Sequence, residues 1–329
     1  DPAADTASGT VEEDDTAIVD DGLIFTLDFE TPGEPLDEGG FDDVLGGISD
    51  TTVLTTIEGG DLVVQTSNGD ISREASANDF IKYTDLSDGA LNEVRISTRF
   101  DNPFPEALAS QGLSTSTIPN YAQQGILFGL GTQEKNELVK LVFGGNKGNA
   151  VQIWSRPDGS VGIDTVYALD DLFNLAGLGL EDVADVAMAL VIDKAAGTVT
   201  PEVTLFDATG ATIGGLRAIP VDGFVTAQAE NLPAAVLDNL LDAMTPTAVG
   251  VTSNDFGKLG AYEARWQTLE VTMPDGTEGP TLVAIADAPI VIESGDSGTT
   301  ILGFAVTTAT AVTGTLTLSY QVDGGATQT

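Results

Sequence analysis

Short runs in which apolar and polar residues alternate recur along most of the chain, a pattern typical of β-strands with one buried face. The clearest run is Asn92–Phe100, where Val94, Ile96, Thr98 and Phe100 alternate with polar or charged residues. Gly- and Asp-rich turns separate many of these runs. Many strands at short spacing predict a two-sheet antiparallel sandwich.

Three β-type runs lie in the middle of the chain, within Gln124–Arg156, and read QGILFGLG, NELVKLVFGG and NAVQIWSR. The dipeptide Asp158-Gly159 then predicts a hairpin turn into a further strand at Val161–Val166. We expect these strands to form the centre of a binding sheet.

One segment has the periodicity of a helix instead. Within Asn231–Met244, Pro233 lies near the first turn, and five apolar residues share one face: Val236, Leu237, Leu240, Leu241 and Met244. The stretch Leu169–Val183 is compatible with a short helical excursion. The predicted fold class is therefore all-β, with one short helix in a loop.

Composition adds a strong negative charge, because 51 acidic residues against 12 basic residues give a formal net charge of −39. Nucleic acids and anionic membranes would be repelled, so neither is an expected partner. Two interpretations of the charge stay open: calcium binding, and an acidic surface that keeps the protein soluble in salty water. No apolar run is long enough for a transmembrane helix, so membrane insertion is not expected.

The chain contains neither cysteine nor histidine. Disulfides, thiol nucleophiles, Ser-His-Asp triads and the usual zinc ligands are thereby excluded. Any bound metal must be held by oxygen, so Ca²⁺ is the natural candidate.

The order of the motifs resembles that of concanavalin A-like jelly rolls of the lectin and laminin-G type, as in bacterial surface proteins. The resemblance is carried by QGILFGLG, LVKLVFGG, VQIWSRPDGS, VAMALVIDKAAGTVT, AVGVTSNDFG and YEARWQTLEVT. It covers residues 23–273. It implies a jelly-roll sandwich that binds carbohydrate outside the cell or at its surface.

Both ends of the chain resemble parts of a Calx-beta repeat, an immunoglobulin-like calcium-binding module. After a linker at 274–280, residues 281–329 resemble its first half through Ile285–Ala288, Glu293–Gly298 and Ser319–Gly324. Residues 1–22 are either an acidic leader or the closing strand and acidic tail of such a module. The resemblance implies a partial immunoglobulin-like sandwich, and a chain that is an interior slice of a repeat array. Neighbouring Calx-beta-like repeats or other copies of the chain would then complete it.

A catalytic pattern is missing from the sequence. Glucanases of the concanavalin A-like fold carry carboxylates at alternate positions of one strand, but no Glu-x-Asp-x-Glu occurs here. We therefore expect a binding domain and not an enzyme.

A carbohydrate site needs an aromatic ring that contacts a sugar face and polar side chains that bond its hydroxyl groups. Trp154 is the candidate ring, although a place in the inter-sheet core is the alternative, and Trp266 is expected in that core. The polar and aromatic candidates near Trp154 are Gln152, Asn146, Asn149 and Tyr167.

For calcium, Asp28 and Glu30 lie two residues apart at a strand end and point to the same side. Asp42 and Asp43 follow close in sequence. The resemblance to laminin-G-like domains implies a calcium ion that bridges the first strand to a neighbouring loop. Solvated acidic surface is the alternative.

The Calx-beta resemblance implies further calcium ligands at the chain ends. Asp287 matches an acidic position after the first strand of that module, and Asp14 and Asp15 match its acidic tail. This site would be complete only with help from a neighbouring module.

Three functional hypotheses follow. The first is an extracellular, calcium-dependent binding or adhesion module that recognises carbohydrate on cell surfaces. The second is a self-assembling filament or surface-layer subunit, joined by β-strand exchange through the incomplete module. The third is a glycan-active enzyme.

Overall fold

The computed structural model describes residues 23–45, 55–66, 78–88, 92–130, 138–145, 148–155, 162–173, 179–213, 225–226, 229–254, 257–259, 262–273, 283–285 and 306–308. Contacts divide the chain into two compact units, Gly22–Gly279 and a second unit made of Asp1–Asp21 with Pro280–Thr329. Of the second unit, the description includes one antiparallel strand pair, Val283–Ile285 with Val306–Thr308. The leader at 1–22, the linker at 274–280 and most of the half-module at 281–329 lie outside the described residues.

The strands follow in the order β1 Leu23–Leu27, β2 Asp43–Leu45, β3 Thr55–Glu58, β4 Asp61–Gln65, β5 Asn78–Thr84, β6 Glu93–Asp101, β7 Gln123–Gly129, β8 Leu138–Gly144, β9 Ala150–Ser155, β10 Ile163–Ala168, β11 Asp185–Asp193, β12 Thr198–Phe206, β13 Val225–Thr226, β14 Glu230–Asn231, β15 Thr247–Asn254, β16 Glu263–Thr272, β17 Val283–Ile285 and β18 Val306–Thr308. The helices in the described ranges are α1 Phe104–Ser110, α2 Leu169–Leu172 and α3 Ala234–Leu241, and a 3₁₀ turn covers Leu180–Asp182.

Two antiparallel sheets form the sandwich. Sheet A runs β13-β12-β11-β6-β16-β4-β3, with β1 also beside β16 and β14 beside β12. Sheet B runs β10-β9-β8-β7-β15-β5-β2. The all-β, two-sheet antiparallel jelly-roll sandwich that the sequence predicts is confirmed.

Strand β6 shows how the sequence pattern builds the core between the sheets. Val94, Ile96 and Phe100 are buried, whereas the residues between them are partly exposed, as the alternation predicts. Trp266 of β16 pairs with Phe100 and is also buried in this core. Each such side chain stabilises the fold by about 1.5–3 kcal/mol through burial.

Sheet B differs because both of its faces are buried near the centre. Every residue of β7, β8, β9 and β15 is buried. Ile126 and Ile153 belong to the inter-sheet core. Leu127, Leu138 and Ala248 belong to a separate cluster. We call the face that carries this second cluster the outer face of sheet B.

The helix predicted within Asn231–Met244 is confirmed as α3. Val236 and Leu240 of α3 are buried, but Leu241 is exposed, and so is Met244, which lies beyond the end of the helix. The predicted apolar face therefore extends too far. The sequence predicts one short helix, whereas the described ranges contain three. Helix α2 lies in the predicted helical excursion at Leu169–Val183. Helix α1 lies in a Pro-containing segment for which the sequence analysis predicts no helix. None of the helices in the described ranges is long and apolar enough to cross a membrane.

Candidate functional site

The centre of the outer face of sheet B has two positions without a side chain, Gly125 and Gly250. Its two central strands, β7 and β15, pair there as Gly129 with Ala248, Leu127 with Gly250, Gly125 with Thr252 and Gln123 with Asn254. A Cβ added at Gly125 would lie 2.0 Å from the carbonyl oxygen of Leu141, and one at Gly250 would lie 1.9 Å from that of Phe80. The neighbouring strands therefore leave no room for a side chain at either glycine.

A buried ion pair crosses the two central strands. Lys140 of β8 donates from Nζ to Oδ2 of Asp79 on β5 at 2.6 Å, although β7 and β15 lie between these strands. Thr252 donates to the other carboxylate oxygen of Asp79. Lys140 is 2% exposed and Asp79 is 5% exposed. The lysine side chain must lie across the sheet to reach Asp79. Because Gly125 and Gly250 have no side chains on this face, there is space for it.

Trp154 lies on the outer face of β9. It pairs in register with Lys140 of β8 and Asp164 of β10, whereas its neighbour Ile153 belongs to the inter-sheet core. The alternative that Trp154 is an inter-sheet core residue is therefore wrong, because successive side chains of a strand point to opposite faces. Its exposed fraction is 9%.

Gln152 shares the outer face and donates from Nε2 to Oδ1 of Asp164 at 2.8 Å. A Cβ at Gly145 would lie 2.5 Å from Oε1 of Gln152, so the missing side chain at Gly145 makes room for the carboxamide. Asp164 is exposed on the edge strand β10. Burial therefore decreases from Lys140 through Trp154 to Asp164, and the outer face opens to solvent at the β10 edge.

Comparison with known proteins adds distant structural similarity. No family model matches the chain, and no curated protein matches it. Among solved structures, lectin UEA-II in complex with galactose is 10% identical, with a TM-score of 0.41 over 75% of this chain and 97% of that chain. Peanut lectin with a nine-residue peptide is 14% identical, with a TM-score of 0.40 over 75% and 95%.

A GH43 protein from Bacillus licheniformis is 13% identical, with a TM-score of 0.37 over 65% of this chain. The chain spans 33% of the length of that protein. The fold assignment rests on the strand order and register of the chain itself.

Two predicted site residues lie apart from Trp154. Tyr167 packs against the inter-sheet core, so it is on the opposite face of the sheet, and its hydroxyl lies 3.5 Å from Oε1 of Glu230. Asn149 binds a neighbouring loop, because its Oδ1 accepts from the Ile118 amide at 2.8 Å and its Nδ2 donates to the Ser116 carbonyl at 2.7 Å. Both predictions assumed that closeness in sequence places side chains together.

The predicted residues that the structure brings together are Trp154 and Gln152, while Asn146 lies outside the described residues. Sequence reasoning missed Asp164 and Lys140, which flank Trp154 in register. The signal for Lys140 was a single charge inside the apolar run LVKLVFG. The signal for Asp164 was its place after the predicted hairpin turn, opposite the tryptophan.

The acidic residues proposed for calcium at the first strand are exposed. Oδ1 of Asp28 accepts from the backbone amide of Glu30 at 3.3 Å, so these residues form a local turn. Among the described residues, no group of three or more acidic side chains has the arrangement of a metal site.

The second acidic pair is engaged with protein donors. Asp42 accepts from Nζ of Lys82 at 3.1 Å and from the Tyr83 amide at 2.7 Å. Asp43 accepts from the Val44 amide at 2.8 Å. The other predicted ligands, Asp287, Asp14 and Asp15, lie outside the described residues. Calcium binding stays a prediction.

A separate cleft of about 250 Å³ lies beside α1, and Asp101, Glu106, Tyr262, Glu263 and Arg265 are among its lining residues. Arg265 also contacts Asp61 at 3.4 Å. Burial, and then the nearby charge of Asp101, raise the pKa of Asp61 above its usual value, although Arg265 opposes this. This part of sheet A therefore holds carboxylates that repel one another.

Proposed function

We propose that the sandwich is a carbohydrate-binding module whose ligand contacts Trp154, Gln152 and Asp164 at the β10 edge of sheet B. The observation that carries this proposal is the Gln152–Asp164 hydrogen bond of 2.8 Å, which joins an exposed carboxylate on the edge strand to the outer-face neighbour of Trp154. An apolar ring with convergent amide and carboxylate groups is a common composition for a sugar site.

The chemistry of each group fits this role. Asp164 is exposed and accepts hydrogen bonds, so it can receive a sugar hydroxyl. Gln152 orients the carboxylate from the buried side. The Trp154 indole supplies apolar contact for the C–H groups of a sugar ring.

On the outer face of sheet B, the spacing of Asp164 and Asp79 does not suit a pair of hydrolytic carboxylates. Asp164 on β10 and Asp79 on β5 share the outer face, but β9, β8, β7 and β15 lie between them. That separation is about 24 Å at ordinary strand spacing, whereas glycosidase carboxylates stand about 5–9.5 Å apart. Asp79 is also held by Lys140 and Thr252.

The experiment uses the two tryptophans as internal reporters. A glycan array identifies the best-bound sugar, and that sugar is then titrated against wild type while tryptophan fluorescence is recorded. We expect a fluorescence change in wild type and in Trp266→Phe, because Trp266 is buried in the inter-sheet core. We expect none in Trp154→Phe, and about a tenfold loss of affinity, or ~1.4 kcal/mol, in Trp154→Ala.

The matched control is Tyr167→Phe, which alters the opposite face of β10. It should bind the sugar as wild type does. An unchanged affinity in Trp154→Ala, or silence of the wild-type protein on the array, would refute the proposed site.

We also propose that the module works at the cell surface and that calcium stabilises it through Asp28, Glu30 and the acidic residues near them. The resemblance to laminin-G-like domains supports both statements. Calcium at 100 times its dissociation constant should stabilise the fold by about 2.7 kcal/mol, seen as a higher melting temperature than with a chelator. The same shift in Asp28→Asn/Glu30→Gln would exclude this pair as ligands, and fractionation of the producing cells tests the location.

A further inference from the structure

We propose that the cleft beside α1 binds a small organic cation, whose ammonium group lies against the carboxylates of Asp101 and Glu106. The inference goes beyond the proposed function, because Asp101 belongs to sheet A and the proposed sugar site lies on sheet B. Three features of the cleft support it: a wall of fixed shape, an excess of carboxylates, and apolar surface beside them.

The cleft offers space for a small molecule. Its volume is about 250 Å³, slightly below the usual range for pockets that hold drug-sized ligands. Asp101 enters it from the end of β6 and Glu106 from α1, while Glu263 and Arg265 enter it from the start of β16. Three elements of the sandwich therefore meet at the cleft.

Tyr262 fixes the shape of this cleft. Its hydroxyl donates to the carbonyl oxygen of Gln123 at 3.2 Å and lies 3.4 Å from that of Asn254. Its ring packs on Phe104 of α1, with 5.7 Å between the ring centroids. Because these contacts join α1 to the start of β16, the cleft is formed before a ligand binds.

Carboxylates outnumber cationic groups in the described lining. Asp101, Glu106 and Glu263 line the cleft together with a single guanidinium group, that of Arg265. Arg265 donates from Nε to Oε1 of Glu263 at 2.6 Å, so its charge is compensated within its own strand. The carboxylates of Asp101 and Glu106 can therefore accept hydrogen bonds from a cationic ligand.

The fold leaves repulsion around Asp101. Asp101 stands directly opposite Asp185 of β11 in the antiparallel register, an arrangement that destabilises a sheet when the charges are alike. Arg99 pairs with Asp185, whereas Asp101 accepts from the uncharged amide of Gln267 at 2.9 Å. The charge of Asp101 also contributes, after burial, to the raised pKa of Asp61. A cation bound beside Asp101 would reduce this repulsion.

Apolar surface in the lining favours an organic cation over a metal ion. Pro103, Ala107 and Tyr262 line the same cleft as the carboxylates, and they can contact the carbon skeleton of a ligand. Calcium instead requires six to eight oxygen ligands, and the described residues contain no group of three or more acidic side chains arranged to hold a metal. The ligand chemistry is therefore a primary ammonium group on a small carbon skeleton, as in amino sugars and polyamines.

The first test compares cyclohexylammonium with cyclohexanol, which have nearly the same size and differ in charge. Each is titrated by calorimetry in a buffer that contains a chelator, while NMR follows the backbone amides of Ala107 and Ser110. Cyclohexylammonium should bind at least about tenfold more tightly, because hydrogen bonds between charged groups are the stronger ones, and both amides should shift. Equal affinity for the two probes, or an amine that leaves these amides unshifted, would overturn the inference.

The second test removes the two carboxylates and keeps their shape. Asp101→Asn/Glu106→Gln should bind cyclohexylammonium at least about tenfold more weakly than wild type. The matched control is Glu34→Gln/Asp37→Asn, which removes the same charge from two exposed residues between β1 and β2. This control should bind within about twofold of wild type. An equal loss in the two variants would show that net charge, and not the cleft, attracts the amine.

Two further titrations distinguish the sources of the ammonium group. Glucosamine is compared with N-acetylglucosamine, and putrescine with 1,4-butanediol. Tighter binding of an amine than of its neutral partner supports the inference, and the amine that binds more tightly names the source. If neither amine binds better than its neutral partner, or if Ca²⁺ displaces cyclohexylammonium at concentrations below the dissociation constant of the amine, the inference fails.

The outcomes are independent of the proposed sugar site. A protein that binds the amine but is silent on the glycan array refutes the sugar site and leaves this inference in place. A protein that binds a sugar through Trp154 but does not bind the amine refutes this inference alone.

Discussion

Glycine residues decide how closely the central strands of sheet B approach their neighbours. At Gly125 and Gly250 a Cβ would meet a carbonyl oxygen of the adjacent strand at 2.0 Å and 1.9 Å. Because a backbone carbonyl cannot rotate away as a side chain can, the strands would have to separate. These two positions therefore tolerate no side chain, although neither lies in a turn.

Gly125→Ala should lower the free energy of unfolding by about 2–3 kcal/mol, the usual range for overpacking. Urea denaturation followed by circular dichroism measures this. The control is Gly59→Asn, since Gly59 has a φ of 66° with nothing within 4 Å of its added Cβ, and Asn tolerates that conformation. Equal stability of the two variants would show that β7 and β8 adjust without cost.

Asp61 should make stability depend on pH. Its pKa is raised in the fold, first by burial and then by Asp101, so its contribution to stability is present below the unfolded pKa of 3.8 and is lost as pH rises through the folded pKa. In thermal unfolding at pH 7, the free energy of unfolding of Asp61→Asn should therefore exceed that of wild type by up to about 1 kcal/mol. This difference should shrink towards pH 4. A constant difference across this range would contradict the assignment.

Residue-scale prediction from sequence succeeded where the two-residue period of a strand sufficed. It placed Val94, Ile96 and Phe100 on one face of β6. It failed for the partner of Lys140, because Asp79 is 61 residues away and its position depends on the order of strands in the sheet. Local periodicity carries no information about that order.

At the scale of elements, sheet B is held together across its width as well as between adjacent strands. The ion pair of Lys140 and Asp79 joins β8 to β5 over the two strands between them. Removal of one partner leaves a buried charge without compensation, which is more costly than removal of both.

A double-mutant cycle tests this link. Lys140→Met and Asp79→Asn should each lower the free energy of unfolding by about 3–5 kcal/mol, since each leaves the other charge buried and unpaired. The double variant, which leaves no charge, should cost clearly less than the sum. Additive effects would show that the two side chains do not stabilise the sheet as a pair.

Prediction of elements from sequence was limited because both faces of the central strands of sheet B are buried. Strands β7, β8 and β9 were recognised as β-type runs, but their uniform burial removes the alternation that would identify the inner face. The helix α1 was not predicted, because prolines such as its Pro103 and Pro105 can indicate a loop as well as the start of a helix. A proline in the first turn of a helix is well tolerated, so that evidence was ambiguous.

At the scale of the whole molecule, self-repulsion is the main electrostatic cost. With a net charge of −39, most carboxylates have no basic residue available to them. Composition alone predicted this, whereas the positions of the few ion pairs required the structure. The calcium sites remain predictions at this scale, since their ligands are either spread over the surface or outside the described residues.

Salt should stabilise the protein. The screening length falls from about 10 Å at 0.1 M to about 3 Å at 1 M salt, so repulsion between carboxylates decreases. We expect the melting temperature in a chelator-containing buffer to rise by about 3–8 °C over this range, or 1–2 kcal/mol. An equal osmolality of sucrose serves as the control for non-ionic effects, and a melting temperature that falls with salt would contradict the prediction.

The pairing of β1 with β16 sets how the sandwich responds to mechanical force. Leu23 stands opposite Thr272, so the chain enters and leaves the sandwich at neighbouring points, about 5 Å apart. Tension applied through the two flanking segments pulls these strands apart at one end, and their hydrogen bonds break one after another. We expect this strand pair to yield before the rest of the sandwich is loaded.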